Sequence, residues 1–144
     1  MTTHTILLLQ IFSCCYMTGL IWFVQVVHYP LMAAVGEDHF VAYELAHTQR
    51  TTLVVMPVML LELATAAALI FWNVGGNLSN TWLWVNLIGL GLIWASTFFI
   101  QVPLHGQLSA QHSGAAIQQL VNTNWIRTFL WTARSALLLF LLFK

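Results

Sequence analysis

Four long apolar stretches constrain the fold of this chain more than any other feature of its sequence. They cover residues 5–27, 51–72, 81–102 and 126–143, and each is close to the roughly 20 residues that cross a bilayer's hydrocarbon core as a helix. The stretches are continuous and Leu-rich, without the alternation of a strand. Only helices or closed barrels satisfy every backbone group in lipid. The sequence therefore predicts an all-α fold, a polytopic membrane four-helix bundle that forms a single transmembrane domain over residues 1–144.

Charge is scarce along the whole chain. Charged residues make up 6% of it, with four Lys+Arg balancing four Asp+Glu, so there is no basic surface to bind nucleic acid. The lipid bilayer is the expected partner. The segment before the first stretch carries no Lys or Arg, which argues against a cleaved signal peptide.

Sliding the chain against itself by 77 residues reveals a candidate internal repeat. His28 then falls on His105 and Arg50 falls on Arg127, with the same spacing from histidine to arginine in both halves. Polar coincidences of this kind carry more weight than matches among apolar residues, which are frequent by chance. The repeat predicts that the two histidines and the two arginines occupy equivalent places.

The repeat divides the domain into halves, about residues 5–72 and 81–143. Each half contains two helices, so both enter the membrane from the same side, around a pseudo-two-fold axis along the membrane normal. A Gly- and Asn-rich segment at residues 73–80 predicts a short turn between the halves. The histidines and arginines then share one face. The positive-inside rule favours a cytoplasmic His/Arg face by a single charge, since Lys144 lies at the other end.

Helical periodicity carries the second and fourth helices beyond their apolar cores and surrounds this face with polar side chains. Gln25 and Gln101 each stand about one turn before a histidine, Asn124 stands one turn before Arg127, and Trp125 is close enough to stack on that arginine. The stripes read Phe40, Tyr43, His47, Arg50, Val54 and Pro57 in one half, and Ile117, Leu120, Asn124, Arg127, Trp131 and Arg134 in the other.

Two cofactor hypotheses follow from the paired histidines. His28 and His105 could face each other as the axial ligands of one haem b, with Arg50 and Arg127 pairing its propionates. Alternatively, His28 and His105, together with His47, could hold a transition-metal ion. A third interpretation needs no ligand, because histidines at helix ends can bond headgroups and arginines can extend toward them.

Glu62 and Arg134 lie much deeper in their predicted spans. A charge near the bilayer centre is costly unless it is paired. The sequence therefore predicts a buried ion pair between them, and a role in handling protons or substrate is the alternative.

Two segments near the C-terminus resemble a known family. Val102-Pro103-Leu104-His105-Gly106-Gln107-Leu108 and Asn122-Thr123-Asn124-Trp125-Ile126-Arg127-Thr128 are similar to motifs of the anthrone-oxygenase-like family of small four-helix membrane proteins. The resemblance covers about the last third of the chain. It implies the four-helix architecture and oxidation of a polycyclic phenol, with Asn124 and Arg127 as site residues. His105 departs from the family pattern, which has asparagine there.

The functional hypothesis from the sequence is a membrane-embedded site of oxidoreductase type that binds haem, a metal ion or a small aromatic or quinone-like ligand. Two alternatives stay open. The protein could be a non-catalytic subunit or scaffold, in a homo-oligomer or a larger membrane complex. It could also be a small carrier, for which the repeat and the deep charges would be the relevant features.

Overall fold

The computed structural model describes residues 2–73 and 78–143, and over these residues it contains four long helices and no strand. All four helices are long and apolar enough to cross a membrane. They are α1 (Thr3–Met32), α2 (Glu37–Trp72), α3 (Asn80–Ala110) and α4 (Gly114–Leu142). The predicted all-α, four-helix fold with four potential membrane spans is confirmed. Residues 74–77 of the predicted turn and Lys144 lie outside the described residues.

The helices extend well past the apolar stretches, as the periodicity predicted. The longest, α2, has 36 residues, or about 54 Å at 1.5 Å per residue, against a hydrocarbon core of about 30 Å. α1 packs against α2 and α4, and α3 packs against the same two helices. The helices therefore form a ring in chain order, with an interior that all four can reach.

Two π-helical turns interrupt the α-helical geometry of α1 and α3. They cover Val24–His28 and Thr97–Gln101, and Pro30 and Pro103 follow within two residues. A proline inside a helix lacks the N–H donor and collides with the carbonyl four residues earlier. A π turn relieves this crowding, because the residue before each proline donates its N–H to the carbonyl five residues earlier. The turns end at His28 and Gln101, two of the predicted site residues.

The buried core consists of two apolar clusters with polar side chains between them. The larger cluster runs from the end of the bundle near Trp72 to about the level of Trp131. The smaller cluster, centred on Tyr29, Phe40 and Leu120, closes the opposite end. Polar residues placed between the clusters are therefore shielded on both sides along the bundle axis.

The predicted stripe on α4 is confirmed by burial, since Asn124, Arg127, Trp131 and Arg134 are all buried. Steps of three and four residues keep these positions on one side of the helix, and α4 turns that side toward the interior.

The predicted stripe on α2 is wrong after its first part. Phe40 is buried, but Arg50 and Val54 are exposed, and the buried face continues instead through Glu44 and Glu62. The positions of this stripe have the same spacing as those on α4, so the difference lies in the rotation of α2. The face that α2 turns inward carries the carboxylates of Glu44 and Glu62, which contact His105 and Arg134.

Candidate functional site

Three histidines and a glutamate converge between the two apolar clusters. Nε2 of His28 lies 2.9 Å from Nδ1 of His47, and Nδ1 of His105 is hydrogen-bonded to Oε1 of Glu44. The rings of His47 and His105 are 5.5 Å apart between centroids. Potential ligand atoms of Glu44, His47 and His105 all lie within 4.8 Å of one another. We call these three residues the His/Glu cluster.

Glu44 was not among the residues predicted from the sequence. It is fully buried, and its second oxygen, Oε2, has no hydrogen-bond partner. A buried carboxylate oxygen without a partner is unusual enough to need an explanation, such as a bound ion. One signal could have revealed it: Glu44 precedes His47 by three residues, the Glu-x-x-His spacing that carries metal ligands in di-iron helical bundles.

A chain of hydrogen bonds links the His/Glu cluster to Arg127. The guanidinium donates Nη2–H to the Tyr29 hydroxyl at 3.2 Å, and that hydroxyl lies 3.0 Å from Nε2 of His105. If the Tyr29 hydroxyl donates to Nε2 of His105, the ring proton is on Nδ1 and is donated to Glu44. Each donor and each acceptor in this chain of hydrogen bonds then has one partner. Arg127 and Glu44 are thus connected through two neutral groups.

Arg127 is held in place by amides rather than by a carboxylate. Its Nε donates to Oδ1 of Asn124 at 3.0 Å, and Nδ2 of Asn124 donates to Oε1 of Gln25 at 2.8 Å. Gln25 in turn donates to the Val121 carbonyl at 3.1 Å. The guanidinium is 8% exposed, and no ion pair within residues 2–73 and 78–143 includes it. It is therefore a buried cation with neutral partners.

The structure brings together most of the residues predicted for the site but leaves two of them, Arg50 and Trp125, outside it. His28, His47, His105, Gln25, Asn124 and Arg127 belong to the networks just described. Gln101 is buried beside them and donates to Thr123 at 3.2 Å. Arg50, in contrast, is exposed. Trp125 packs edge-on against Trp22 with centroids 5.6 Å apart and does not line the cavity described below.

The structure places His47 beside both of the histidines predicted to face each other, so the haem hypothesis gains no support from this geometry and stays a prediction. His47 lies against both rings, 4.4 Å from the centroid of His28 and 5.5 Å from that of His105. Bis-imidazole haem ligation needs two free nitrogens on opposite sides of one porphyrin. Here Nε2 of His28 and both nitrogens of His105 already have partners, and Arg50 is exposed rather than beside them.

A cavity of about 390 Å³ adjoins the His/Glu cluster inside the bundle. Its polar end is formed by Tyr29, His47, Gln101, His105 and Arg127, and its apolar end by Met17, Ile21, Val55, Met59 and Trp131. Pockets of roughly 300–1,000 Å³ with mostly apolar walls and a few convergent polar groups are typical of small-molecule sites.

The deep charges form a second polar site beneath the floor of the cavity. Nη1 of Arg134 donates to Oε1 of Glu62, and the same arginine donates Nε–H to the backbone and side-chain oxygens of Asn86, each at 3.1 Å. Trp131 donates Nε1–H to Oε2 of Glu62 at 3.1 Å while its ring lines the cavity. The ion pair therefore fixes a wall of the cavity through that indole.

Comparison with known proteins adds no relative to these observations. The chain matches no protein-family profile, no curated protein and no solved structure. The resemblance to anthrone-oxygenase-like proteins therefore stays a prediction from two short motifs.

Proposed function

We propose that this protein is a membrane oxidoreductase that holds a divalent transition-metal ion in the His/Glu cluster and acts on a small aromatic or quinone-like molecule in the adjoining cavity. The observation that supports the proposal is the convergence of ligand atoms from Glu44, His47 and His105 within 4.8 Å. The unpartnered Oε2 of Glu44 supports it further.

The donor set fits such an ion chemically. Two imidazoles and one carboxylate with open positions are the ligands that non-haem iron enzymes use, and imidazole also suits zinc, copper and nickel. Both hydrogen bonds of the His47 ring within residues 2–73 and 78–143, to His28 and Thr51, involve Nδ1, which leaves Nε2 available to a metal ion. An ion would displace the proton that His105 shares with Glu44, as metal binding generally does at titratable ligands.

Neighbouring side chains are placed to orient the three ligands. His28 bonds the ring of His47, and Tyr29 bonds the ring of His105. Partners of this kind fix the tautomer and direction of metal-bound imidazoles. A bound ion would supply Lewis-acid or redox chemistry at the polar end of the cavity, and the cavity walls would hold an apolar substrate beside it.

A metal-free role is the rival interpretation. With the exceptions of Oε2 of Glu44 and Nε2 of His47, the polar atoms of the cluster have hydrogen-bond partners among the described residues. Such a network could serve only to fix the helices of a non-catalytic subunit, a scaffold or a carrier. The two interpretations differ in whether the purified protein carries an ion.

Metal content distinguishes them directly. The protein is produced with iron, manganese, zinc and copper in the medium, purified without chelators, and analysed by inductively coupled plasma mass spectrometry. We expect about one ion per chain in the wild type and at least a tenfold loss in His47→Ala, His105→Ala and Glu44→Gln. His39→Ala and Glu37→Gln are matched controls, since both residues are exposed on the helix that carries Glu44 and His47, and they should retain the ion.

Two outcomes would overturn parts of the proposal. A wild type without any bound metal, or a loss no greater in His47→Ala than in His39→Ala, would exclude the site and favour the structural role. Zinc as the sole bound ion would keep the site but exclude any change of oxidation state at the metal, because zinc has no redox activity.

A further inference from the structure

The cavity beside the His/Glu cluster opens sideways, between α2 and α3. Among its lining residues, Thr52 and Met56 of α2 and Val102 and Gly106 of α3 have exposed side chains or Cα positions, whereas the residues contributed by α1 and α4 are buried or half-buried. The opening therefore lies on the side of the bundle rather than at either of its ends.

The opening lies at the end of the apolar part of these helices. Thr52, Met56 and Val102 belong to apolar stretches long enough to cross the hydrocarbon core, and Gly106 lies one turn beyond. In a bilayer this level is the boundary between acyl chains and headgroups. A molecule that rests there with its polar end at the boundary and its apolar end in the membrane can reach the opening without crossing water.

Charge defines the polar end of the molecule that fits. Among the residues that the structure describes, the hydrogen-bond partners of Arg127 are the neutral groups of Asn124, Tyr29 and Thr97, and its bond from Nη1 to Thr97 is long at 3.5 Å. A buried guanidinium without an acidic partner is costly in an apolar environment, and carboxylates are its preferred planar acceptors. A divalent ion in the cluster would add two positive charges against the single negative charge of Glu44. Arg127 and the ion would then leave two positive charges uncompensated.

From these observations we infer that the cavity binds a bilayer-resident, single-chain amphiphile with an anionic carboxylate headgroup. It enters between α2 and α3, its carboxylate pairs with Arg127, and the start of its chain lies against Trp131 and the methionines below. The amphiphile would occupy the cavity in place of the aromatic or quinone-like molecule, and the inference rests on the proposed function because the headgroup would lie beside the metal ion. The opening and the unpaired arginine support it independently of the ion.

Gly106 provides a clean way to block the opening. A Cβ built at this glycine meets no heavy atom within 4 Å, and the same is true of Gly91 on the same helix. Gly106→Leu should therefore fold and fill the opening, while Gly91→Leu adds the same side chain at an exposed position that does not line the cavity. Arg127→Gln tests the headgroup.

The binding experiment uses the full chain in nanodiscs of uncharged phosphatidylcholine with radiolabelled dodecanoate as the probe and dodecanol as an uncharged competitor. We expect saturable binding of one dodecanoate per chain, with dodecanol competing at least tenfold less well. Gly106→Leu and Arg127→Gln should each weaken binding at least tenfold, and Gly91→Leu should stay within twofold of the wild type. Thermal unfolding of each variant identifies any that misfolds. If Arg127→Gln misfolds, the comparison of Gly106→Leu with Gly91→Leu still tests the inference.

Each contrary result overturns a defined part of the inference. Non-saturable uptake by the wild type would show simple partitioning into lipid and exclude the site. Equal competition by dodecanol would exclude the anionic headgroup, and unchanged binding in Gly106→Leu would exclude the lateral opening. Metal content measured on the same samples separates this inference from the proposed function, because dodecanoate binding to metal-free protein would reject the metal site while leaving Arg127 as the headgroup site.

Discussion

Replacing Arg134 by methionine would leave Glu62 as a carboxylate buried in the apolar interior without its counterion, with the indole of Trp131 still donating to it. Removing one partner of a buried ion pair typically costs about 3–5 kcal/mol. Glu62→Gln should cost a similar amount, because it leaves the guanidinium of Arg134 without its counterion. If the two effects were independent, the double variant would lose about 6–10 kcal/mol.

The double variant should lose far less, because neither unpaired charge remains. What it loses is mainly the bifurcated hydrogen bond from Nε–H of Arg134 to the two oxygens of Asn86, worth about 1 kcal/mol, and part of the interaction with Trp131. The expected coupling energy is at least about 3 kcal/mol. An ordinary hydrogen bond between membrane helices is worth only about 0.6 kcal/mol on average. The measured coupling energy therefore distinguishes a buried ion pair from an ordinary hydrogen bond.

The assay is reversible unfolding of the wild type, the two single variants and the double variant in mixed micelles titrated with sodium dodecyl sulfate. Arg50→Met combined with Glu62→Gln is the matched control, since Arg50 is exposed and forms none of the ion pairs described. That pair should be additive within about 0.5 kcal/mol. A Glu62–Arg134 coupling no larger than the control would refute the reasoning.

Three further predictions concern packing, the amide network and orientation. Gly89→Ala should destabilise the fold by about 1–3 kcal/mol, because its Cβ would lie 3.0 Å from Cδ of Arg134, whereas Gly91→Ala meets nothing within 4 Å and should be neutral or slightly stabilising in the same unfolding assay. Asn124→Ala should cost about 1–3 kcal/mol, since it leaves two buried groups without partners, and exposed Asn122→Ala should change stability by less than about 0.5 kcal/mol. A C-terminal alkaline phosphatase fusion should be active and a fluorescent-protein fusion dark if the termini lie outside; the reverse pattern would place the His/Glu cluster on the outer side.

The helices could be predicted from the sequence because the physical demand on them is simple. A chain in lipid must satisfy its own backbone groups, so four apolar stretches of sufficient length leave few alternatives to four helices. Burial along α4 was predictable too, because polar residues such as Asn124 and Arg127 mark the interior face of that helix. In lipid, polarity indicates the interior more reliably than hydrophobicity does.

The rotation of α2 could not be predicted in the same way. Leucine and valine are equally suited to lipid and to the core, so they do not indicate which face is buried. The internal repeat aligned Arg50 with Arg127 and thereby selected a face of α2 that the structure leaves exposed. The same reliance on the repeat hid Glu44, because the residue 77 positions later is Val121 and offers no matching acid. The site combines residues of both halves unequally, and a search for equivalent pairs cannot find such an arrangement.

The central claim is that Glu44, His47 and His105 together bind one metal ion. Its most direct test is an anomalous difference map from crystals of the protein, recorded on both sides of the absorption edge of the metal found by mass spectrometry. The proposal predicts one strong peak about 2.0–2.3 Å from a Glu44 oxygen and from one ring nitrogen of each histidine. No peak in the described part of the bundle, or a peak ligated by other residues, would contradict it.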